Sequence, residues 1–464
     1  MDFLLSHGYL LCEDAHEQAV MKPYPPLGLL YLSSYLKARG FGVQVFDSTF
    51  QTREAFQQLF ERQRPSVVGL YANLMTRANV VKMARFCREH GCMVVVGGPE
   101  PAMYPEEYLA WGADVVVVGE GEQTLEELLP HLARHGPAGM THIRGLIYRE
   151  DGQIVRTEPR PLLPNLDALP FPDRGAVDMG GYESAWRTRH GHFSVSLIAA
   201  RGCPYTCTWC SHAVFGNSHR RRSPENVADE VEQILATYHP EMLWYADDVF
   251  TIDHAWLTSY ARQLQRRGLR VPFETISRED RLDEAVISTL AEMGCARLWV
   301  GAESGSQRVL DAMKRRTDAR RVPGIVHFLQ RHGIQAGLFV MLGYEGEELA
   351  DLEATVGLLR EAEPAQFLTA LAYPIRGTPY YEQVRDRILS PGPWEEGSDR
   401  DQTVAGRHSR RYYRFVTRWM VNETILHHHG QGGVRGFARK VKAALNARVG
   451  RLGMWWTRRE VEGQ

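Results

Sequence analysis

Three of the seven cysteines of this 464-residue chain lie within one short stretch, RGCPYTCTWCSH, at residues 201–212. Cys203, Cys207 and Cys210 have C-x3-C-x2-C spacing, which allows a single loop to direct three thiolates toward one centre. Structural zinc takes four protein ligands, so zinc would need a further partner such as His212. Full ligation of a four-iron cluster takes four cysteines, so three would leave one iron open to another molecule. The ligand count favours the iron–sulfur interpretation.

The composition is that of a folded protein with reduced thiols. Hydrophobic residues make up 44% and charged residues 24% of the sequence, and the length suggests roughly three domains. A formal net charge of -2 gives no overall attraction to nucleic acid, so no nucleic-acid partner is expected. The first residues lack the basic region of a signal peptide, and no stretch reaches the roughly 18 apolar residues of a membrane span. We therefore expect a cytoplasmic protein in which four cysteines are buried as small hydrophobes: Cys12, Cys87, Cys92 and Cys295.

Two series of alternating strand and helix patterns must position the cysteine loop. Residues 1–135 contain five strand signals, including the continuous apolar runs MVVVGG and DVVVVG, which predict a doubly wound parallel sheet. Residues 139–190 are rich in proline and predict a linker. Six further strand signals between 193 and 375 predict an incomplete (β/α)6 barrel, too short for the closed eight-stranded form. Residues 396–464 are basic and predict a small, mostly helical region.

The cysteine motif and its position after the first strand of a partial barrel resemble the radical S-adenosylmethionine (SAM) enzymes. Trp209 occupies the aromatic position of the family motif C-x3-C-x-aromatic-C. The resemblance implies a [4Fe-4S] cluster held by the three cysteines, with SAM chelating the open iron through its amino and carboxylate groups. It also implies an external one-electron donor of the flavodoxin or ferredoxin type and a 5′-deoxyadenosyl radical as the product of SAM cleavage.

The polar ends of the predicted barrel strands match the SAM-binding segments of that family. The resemblance places carboxylates after the second strand near the SAM amine, although Asp248 could equally cap the next helix. It places an arginine after the third strand, where it can clamp a carboxylate, and backbone after the fifth strand beside adenine. The implied SAM-binding residues are Trp209, Asp247, Asp248, Ser277, Arg278, Glu303, Ser304, Met341 and Gly343.

Glycine-rich strand ends in the first sheet resemble the cobalamin-binding domain of one branch of radical SAM enzymes. Glycines there let the backbone approach a broad, flat ligand, whereas the simpler alternative is that they only make tight turns. Glu100 stands where many family members have histidine, and His16 is favoured as a loop residue over a cobalt ligand. The implied cobalamin-binding residues are Thr76, Gly97, Gly98, Pro99, Glu100, Gly119, Glu120, Gly121 and Glu122.

The resemblance therefore predicts four regions and an enzymatic function. They are a Rossmann-like cobalamin-binding domain (1–138), the linker (139–190), a TIM-type radical SAM partial barrel (191–395) and the helical C-terminal region (396–464). The predicted reaction is methylation of an unactivated substrate carbon via methylcobalamin. Cyclisation, rearrangement or oxidation with the same cofactors is one alternative, and a zinc-stabilised, non-enzymatic binding protein is the other.

Predictions about binding partners concern the C-terminal region and the end of the sixth predicted barrel strand. Thirteen Lys and Arg lie between Val404 and Arg459, against the single acid Glu423. An apolar stripe at helical spacing is favoured to dock on the barrel, and peripheral membrane contact that reaches a lipid-like substrate is the alternative. The stripe comprises Phe437, Val441, Leu445, Val449, Leu452 and Trp455. Contact with a small-molecule substrate, or equally packing against the tail, is expected for Tyr373, Arg376 and Tyr380.

Overall fold

A computed structural model describes residues 3–427 and 433–463, with the side chains of 433–436 outside the description. The strands are β1 (Phe3–His7), β2 (Val43–Phe46), β3 (Val67–Tyr71), β4 (Met93–Gly97), β5 (Val115–Val117), β6 (Leu146–Glu150), β7 (Gln153–Arg156), β8 (Ser194–Leu197), β9 (Ala200–Arg201), β10 (Arg220–Arg221), β11 (Met242–Tyr245), β12 (Phe273–Ser277), β13 (Cys295–Glu303), β14 (Gln335–Leu342), β15 (Gln366–Leu371), β16 (Ile388–Leu389) and β17 (Thr403–Val404).

The α-helices alternate with these strands through most of the chain. They are α1 (Ala15–Val20), α2 (Leu27–Lys37), α3 (Arg53–Gln63), α4 (Arg77–Glu89), α5 (Pro105–Ala110), α6 (Glu122–His135), α7 (Met179–His190), α8 (Pro224–Tyr238), α9 (His254–Arg266), α10 (Glu284–Met293), α11 (Gln307–Ala312), α12 (Arg321–Arg331), α13 (Leu349–Ala362), α14 (Pro379–Val384), α15 (Arg410–His427) and α16 (Gly433–Thr457).

The first sheet has seven strands in the order β2-β1-β3-β4-β5-β6-β7. Strands β1 to β5 are parallel, and alternate side chains of each strand pack into hydrophobic clusters on the two faces. Leu4 and Val94 belong to one cluster and Phe3 and Val95 to the other, so helices cover both faces as a doubly wound sheet requires. The predicted parallel Rossmann-like sheet is confirmed. Strands β6 and β7 add an antiparallel hairpin from within the segment predicted as a linker.

The second large sheet has six strands in the order β15-β14-β13-β12-β11-β8, which is their order along the chain. Each of the six corresponds to one of the predicted strand signals, and the pairings of β12, β13, β14 and β15 are parallel. Helices α8, α9, α10, α12 and α13 connect them. Because β12, β13, β14 and β15 are parallel, their C-terminal ends lie at one edge of the sheet, where the predicted polar residues of these strands lie.

The chain divides into two compact units. The first comprises Met1–Pro204, Ser211–Trp244 and Gly392–Asp399, and the second comprises Tyr205–Cys210, Tyr245–Pro391 and Arg400–Gln464. Contacts within the first unit explain why it extends past the first sheet. The indole nitrogen of Trp186 donates to the Pro23 carbonyl at 2.7 Å, and Arg174 pairs with the buried carboxylate of Glu230 at 2.6 Å.

Two helices form most of the C-terminal region. α16 packs on α15 through small residues: a Cβ at Gly450 would lie 2.8 Å from the Trp419 nitrogen, and one at Gly453 would lie 2.3 Å from the Phe415 ring. The predicted apolar stripe faces away from this contact and is exposed, so the expectation that it docks on the barrel is wrong for the part of the chain described. Within residues 3–427 and 433–463, none of the helices combines the length and the hydropathy that a membrane span needs.

The scattered cysteines follow the prediction with one exception. Cys87, Cys92 and Cys295 are buried, whereas Cys12 is exposed. Cys12 lies in a single 3-10 turn in which only its neighbour Leu11 is buried, so the apolar run around it does not place its own side chain inside.

Candidate functional site

The cysteine loop leaves β9 through a turn that requires glycine. Gly202 has φ +86, and a Cβ there would lie 2.4 Å from the carbonyl oxygen of Ser218. A side chain at this position would meet backbone rather than a flexible group, so replacement must distort the turn. Arg201, immediately before it, is paired through its two terminal nitrogens with Glu120 at 2.7 Å and Glu122 at 2.6 Å. The start of the loop is therefore fixed by backbone conformation and by ion pairs.

The second part of the loop, Tyr205–Cys210, places a buried thiol against two guanidinium groups. Arg278 donates from Nη1 to the Cys207 Sγ at 3.6 Å, and Arg315 does so at 3.8 Å. Both arginines are buried, which strengthens their electrostatic effect on the sulfur. This arrangement places two positive charges beside a sulfur atom that could serve as a cluster ligand.

Neighbouring residues of the loop hold Cys207 in this position. The Arg278 guanidinium lies 3.8 Å from the centre of the Tyr205 ring. The hydroxyls of Thr208 and Tyr344 are 2.6 Å apart, and the Thr208 backbone nitrogen donates to the Met313 carbonyl at 3.1 Å. The loop is thus attached to the residues that follow β14 and α11.

The chemistry of the three thiols fits an iron–sulfur cluster better than a single metal ion. Among the described residues, no three or more His, Cys, Asp or Glu side chains converge on one ion position. In a four-iron cluster each thiolate binds a different iron, so such convergence is not required. Cys203 is half-buried, Cys207 buried and Cys210 exposed, and none forms a disulfide. Within the second unit, the buried Cys207 thiol and the two arginines beside it suit a ligand of an anionic cluster.

The ends of β12 and β13 place the predicted polar residues close to these arginines. Ser277 is buried, and its hydroxyl lies 2.5 Å from that of Thr251. Glu303 has φ +57, an uncommon conformation for a non-glycine residue, and pairs with Arg315 at 3.6 Å. Burial raises the pKa of Glu303 above its usual value. Ser304 is buried, and its hydroxyl lies 3.2 Å from that of Thr355.

The other predicted SAM-binding residues lie at neighbouring strand ends and in the loop. After β11, Asp247 is buried and Asp248 is exposed. Met341 is half-buried within β14. Gly343 has φ +70, and a Cβ there would lie 2.7 Å from the Leu371 side chain. The Trp209 ring lies 5.9 Å from the Arg315 guanidinium.

The sequence analysis missed two charged residues beside the predicted ones. Arg315 reaches Cys207, Glu303 and, at 2.8 Å, the Gly301 carbonyl. It follows α11 rather than a strand, so the strand-end signal that identified Arg278 could not identify it. Glu279, next to Arg278, is buried, and neither carboxylate oxygen has a hydrogen-bond partner among the described residues. Burial raises its pKa.

The predicted cobalamin-binding glycines lie at the ends of β4 and β5. Gly98 has φ +113, and a Cβ would lie 2.4 Å from the Ala72 carbonyl oxygen, so this turn requires glycine. At Gly97 the nearest atom to a Cβ is the Val117 Cβ at 3.7 Å, and at Gly119 it is the Val214 carbonyl at 3.8 Å. Turn geometry accounts for Gly98, and the positive φ of Gly119 (+85) favours glycine there as well, whereas at Gly97, within β4, a Cβ would make only ordinary contacts.

The three glutamates predicted beside these glycines have partners within the first unit. Glu100 is buried and pairs with Arg77 and the Tyr108 hydroxyl, and burial raises its pKa to about 7. Glu120 pairs with Arg201 and, at 2.8 Å, with Arg220. Glu122 is the other partner of Arg201, as described above. These carboxylates hold the strand ends in place through ion pairs.

The remaining cobalamin predictions lie on the same edge. Thr76 is buried at the start of α4 and accepts a hydrogen bond from the Asn73 nitrogen at 2.9 Å. Pro99 is half-buried, and Gly121 precedes α6. His16 is exposed and lies in helix α1 rather than in the loop expected.

The three predicted substrate residues differ in accessibility. Tyr380 is fully buried, with its ring stacked on Tyr344 at 4.8 Å, and its backbone nitrogen donates to the Thr208 carbonyl at 2.9 Å. Tyr373 and Arg376 are half-buried in the segment after β15. Tyr380 therefore supports the cysteine loop by packing.

Two known protein families match the segments of the chain that form the two large sheets. Residues 19–129 match the family model of the B12 binding domain, and residues 197–359 match that of the radical SAM superfamily. An uncharacterized methyltransferase of Pyrococcus horikoshii is 27% identical over 92% of this chain and 96% of its own length. The anaerobic magnesium-protoporphyrin IX monomethyl ester cyclase of Rubrivivax gelatinosus is 25% identical over 79% of this chain and 67% of its own.

A solved structure extends the agreement to the fold. The radical S-adenosylmethionine methyltransferase TsrM from Kitasatospora setae, with cobalamin and a [4Fe-4S] cluster bound, superimposes with a TM-score of 0.70. The sequence identity is 19%, over 86% of this chain and 81% of that one.

Proposed function

Because the chain belongs to the radical SAM superfamily and carries a B12-binding domain, we propose that it methylates an unactivated carbon of a small-molecule or lipid-like substrate. The cofactors of such an enzyme are a [4Fe-4S] cluster, SAM and cobalamin. When bound, they supply a 5′-deoxyadenosyl radical and a transferable methyl group. The chain's own residues must hold these groups and exclude water.

The observation that carries the proposal is the buried Cys207 thiol beside Arg278 and Arg315. Two fixed positive charges at a sulfur ligand stabilise negative charge there, as a site that accepts an electron requires. Ser277, Glu303 and Ser304 lie at adjoining strand ends, where their oxygens can accept or donate hydrogen bonds to the polar groups of SAM. We assign SAM binding to these strand ends.

We also assign cobalamin contact to the backbone at Gly97 and Gly119, where the absence of a side chain leaves the backbone accessible and the nearest atoms to a Cβ would be at ordinary contact distance. Glu100, Glu120 and Glu122 act there as positioning residues, because their buried ion pairs hold the strand-end turns that present the backbone. In this assignment the glutamates keep their ion pairs. Direct contact with the ligand would require a buried carboxylate to separate from its partner, which is energetically costly.

The names of the relatives support methylation as the reaction and cyclisation as its alternative. Methyl transfer is supported by the methyltransferase of Pyrococcus horikoshii, which matches nearly the full length of both chains. Cyclisation with the same cofactors is supported by the cyclase of Rubrivivax gelatinosus. The two reactions differ in whether a second SAM gives up its methyl group.

Anaerobic reconstitution with iron, sulfide, cobalamin, SAM and dithionite tests the proposal. We expect 5′-deoxyadenosine together with S-adenosylhomocysteine, and we expect Cys207→Ala to form no deoxyadenosine. Cys12→Ala is the matched control, because Cys12 is an exposed cysteine outside the motif. Deoxyadenosine without S-adenosylhomocysteine would favour the cyclase-type alternative. Neither product, or equal activity in Cys207→Ala, would overturn the proposal.

A further inference from the structure

The outward side of α16 is an apolar surface that no described part of the chain covers. Seven of its large hydrophobic side chains are between 42% and 72% exposed. We call this surface the apolar face of α16; it comprises Phe437, Val441, Leu445, Val449, Leu452, Trp455 and Trp456. A continuous exposed apolar surface of this kind on a folded protein marks an interaction site.

The apolar face is opposite the side of the helix that packs on α15. At about 100° per residue, the seven side chains fall within an arc of about 120°. Ala443, Ala447 and Met454 are buried on the opposite side, where Gly450 and Gly453 allow close contact with α15. One side of α16 is already packed on α15. A small shift of α15 would therefore not bury the opposite, exposed side.

The charge of α16 is entirely positive. The sequence of the helix contains six Lys and Arg and no Asp or Glu. Lys442 is exposed at the edge of the apolar face, Arg448 is exposed within its arc, and Arg459 is exposed just after the helix. A helix with one apolar side and flanking basic residues matches the charge and polarity of an anionic lipid surface.

The aromatic residues of the face have the arrangement found at membrane interfaces. The Arg458 guanidinium lies 4.4 Å from the centre of the Trp455 ring, and the Arg411 guanidinium lies 4.4 Å from the centre of the Trp456 ring. Tryptophan combines a large apolar ring with a polar edge, so it is favoured at the level of lipid headgroups. Arginine beside each ring can bind phosphate while the ring enters the apolar layer.

A separate apolar cleft lies between β15, α15 and the first turns of α16. The cleft has a volume of about 340 Å³ and is lined by Phe367, Leu368, Val421, Ile425 and Arg439. Leu368, from the edge strand β15, is 54% exposed. A second apolar region therefore lies beside β15 and α15, on the side of α16 that carries Arg439 rather than on its apolar face.

We propose that α16 lies in the surface of an anionic membrane, with its apolar face among the acyl chains and its basic residues at the lipid phosphates. A second copy of this chain fits the surface less well, because dimerisation through the same face would bring two all-positive helices together. The proposal does not depend on the reaction catalysed.

Co-sedimentation of the full chain with vesicles tests the proposal. We expect binding to vesicles of phosphatidylcholine and phosphatidylglycerol, at least about tenfold weaker binding to phosphatidylcholine alone, and release by 0.5 M salt. The variant Leu445→Gln/Leu452→Gln/Trp455→Gln removes apolar contact, and Lys442→Gln/Arg448→Gln/Arg459→Gln removes charge. Each should weaken binding to the anionic vesicles at least about tenfold. Leu349→Gln is the matched control, because Leu349 is 50% exposed at the start of another helix.

The thermal unfolding midpoint of each variant is the folding control. An unchanged midpoint shows that a loss of vesicle binding does not result from unfolding. Equal sedimentation of the wild-type chain and the apolar variant would overturn the proposal. So would a stable dimer that the apolar variant converts to a monomer without any vesicle binding, since the face would then be an interface between copies. Equal binding to both vesicle types would overturn the role of the basic residues.

Discussion

The Nη1 atom of Arg278 lies 3.6 Å from the Sγ atom of Cys207, and both side chains are buried. Arg278 is further held by Asp280 at 2.8 Å and by the carbonyl of Arg315 at 2.8 Å. A guanidinium fixed in this way keeps its charge beside the sulfur without reorganisation. The distance explains why an arginine at the end of β12 matters to a loop that follows β9.

Arg278→Gln is expected to make the bound cluster harder to reduce. Loss of a buried positive charge disfavours the more negative, reduced state, and we expect the midpoint potential to fall by about 50 mV, or about 1.2 kcal/mol for one electron. A redox titration followed by electron paramagnetic resonance measures the shift. Arg281→Gln is the control, because Arg281 contacts the Tyr205 hydroxyl from a partly exposed position, whereas Arg278 is buried. Identical potentials for wild type and Arg278→Gln would contradict the electrostatic role.

Glu347 makes the stability of the second unit depend on pH. Its Oε2 accepts a hydrogen bond from the Gly343 nitrogen at 2.6 Å, its Oε1 is buried, and burial raises the pKa to about 8. The unfolded chain ionises near 4.5, so the folded state binds the extra proton between about pH 4.5 and 8. The stabilisation is therefore complete below pH 4.5 and is lost as pH rises to about 8.

Glu347→Gln should remove this component of the pH dependence, because the amide imitates the protonated carboxyl. The measurement is the midpoint of thermal unfolding from pH 5 to 8, in which the variant should decline less than wild type. Glu353→Gln provides a control at an exposed position. Parallel curves for wild type and Glu347→Gln would show that Glu347 does not carry the effect.

Alanine substitutions at the adjacent residues Gly97 and Gly98 distinguish a glycine required by a turn from a glycine required for ligand contact. Gly98→Ala places a Cβ against the Ala72 carbonyl at φ +113 and should destabilise the protein by about 1–3 kcal/mol or more. Gly97→Ala meets only ordinary contacts and should cost less than about 1 kcal/mol. If the backbone at Gly97 contacts cobalamin, this second variant should still bind the cofactor about tenfold more weakly in an absorbance titration. Wild-type affinity in a folded Gly97→Ala protein would remove Gly97 from the cobalamin assignment.

The sequence allowed prediction of features that depend on local pattern. Apolar runs such as β4 and β5 identify buried parallel strands, and the spacing of Cys203, Cys207 and Cys210 specifies a ligand set without reference to the fold. Contacts between distant segments could not be predicted in this way. Arg315 is 108 positions from Cys207, and no periodicity connects the two.

In the C-terminal region, too, the sequence predicted a local pattern but not the contact that the pattern makes. Helical spacing correctly indicated one apolar stripe in α16, but spacing cannot say which side of a helix is covered. The small residues at Gly450 and Gly453 determined that, because they allow the other side to approach α15. The stripe was therefore left exposed.

A buried ionic triad in the first unit predicts a large loss of stability on removal of one partner. Arg77 pairs with Glu100 and, at 2.6 Å, with Asp399, and all three side chains are almost completely buried. Arg77→Met leaves two carboxylates without their cation, which should cost about 3–5 kcal/mol in urea unfolding. Arg85→Met breaks an exposed pair with Glu89 and should cost less than about 1 kcal/mol.

The double variant Arg77→Met/Glu100→Gln distinguishes the charge effect from lost packing. If the penalty comes from an uncompensated buried carboxylate, making Glu100 neutral should restore part of the stability, so the two substitutions should be less than additive. Strict additivity, or an equal loss for Arg77→Met and Arg85→Met, would contradict the triad's role. A restored fraction near half would assign the remaining loss to Asp399, which keeps its charge in the double variant.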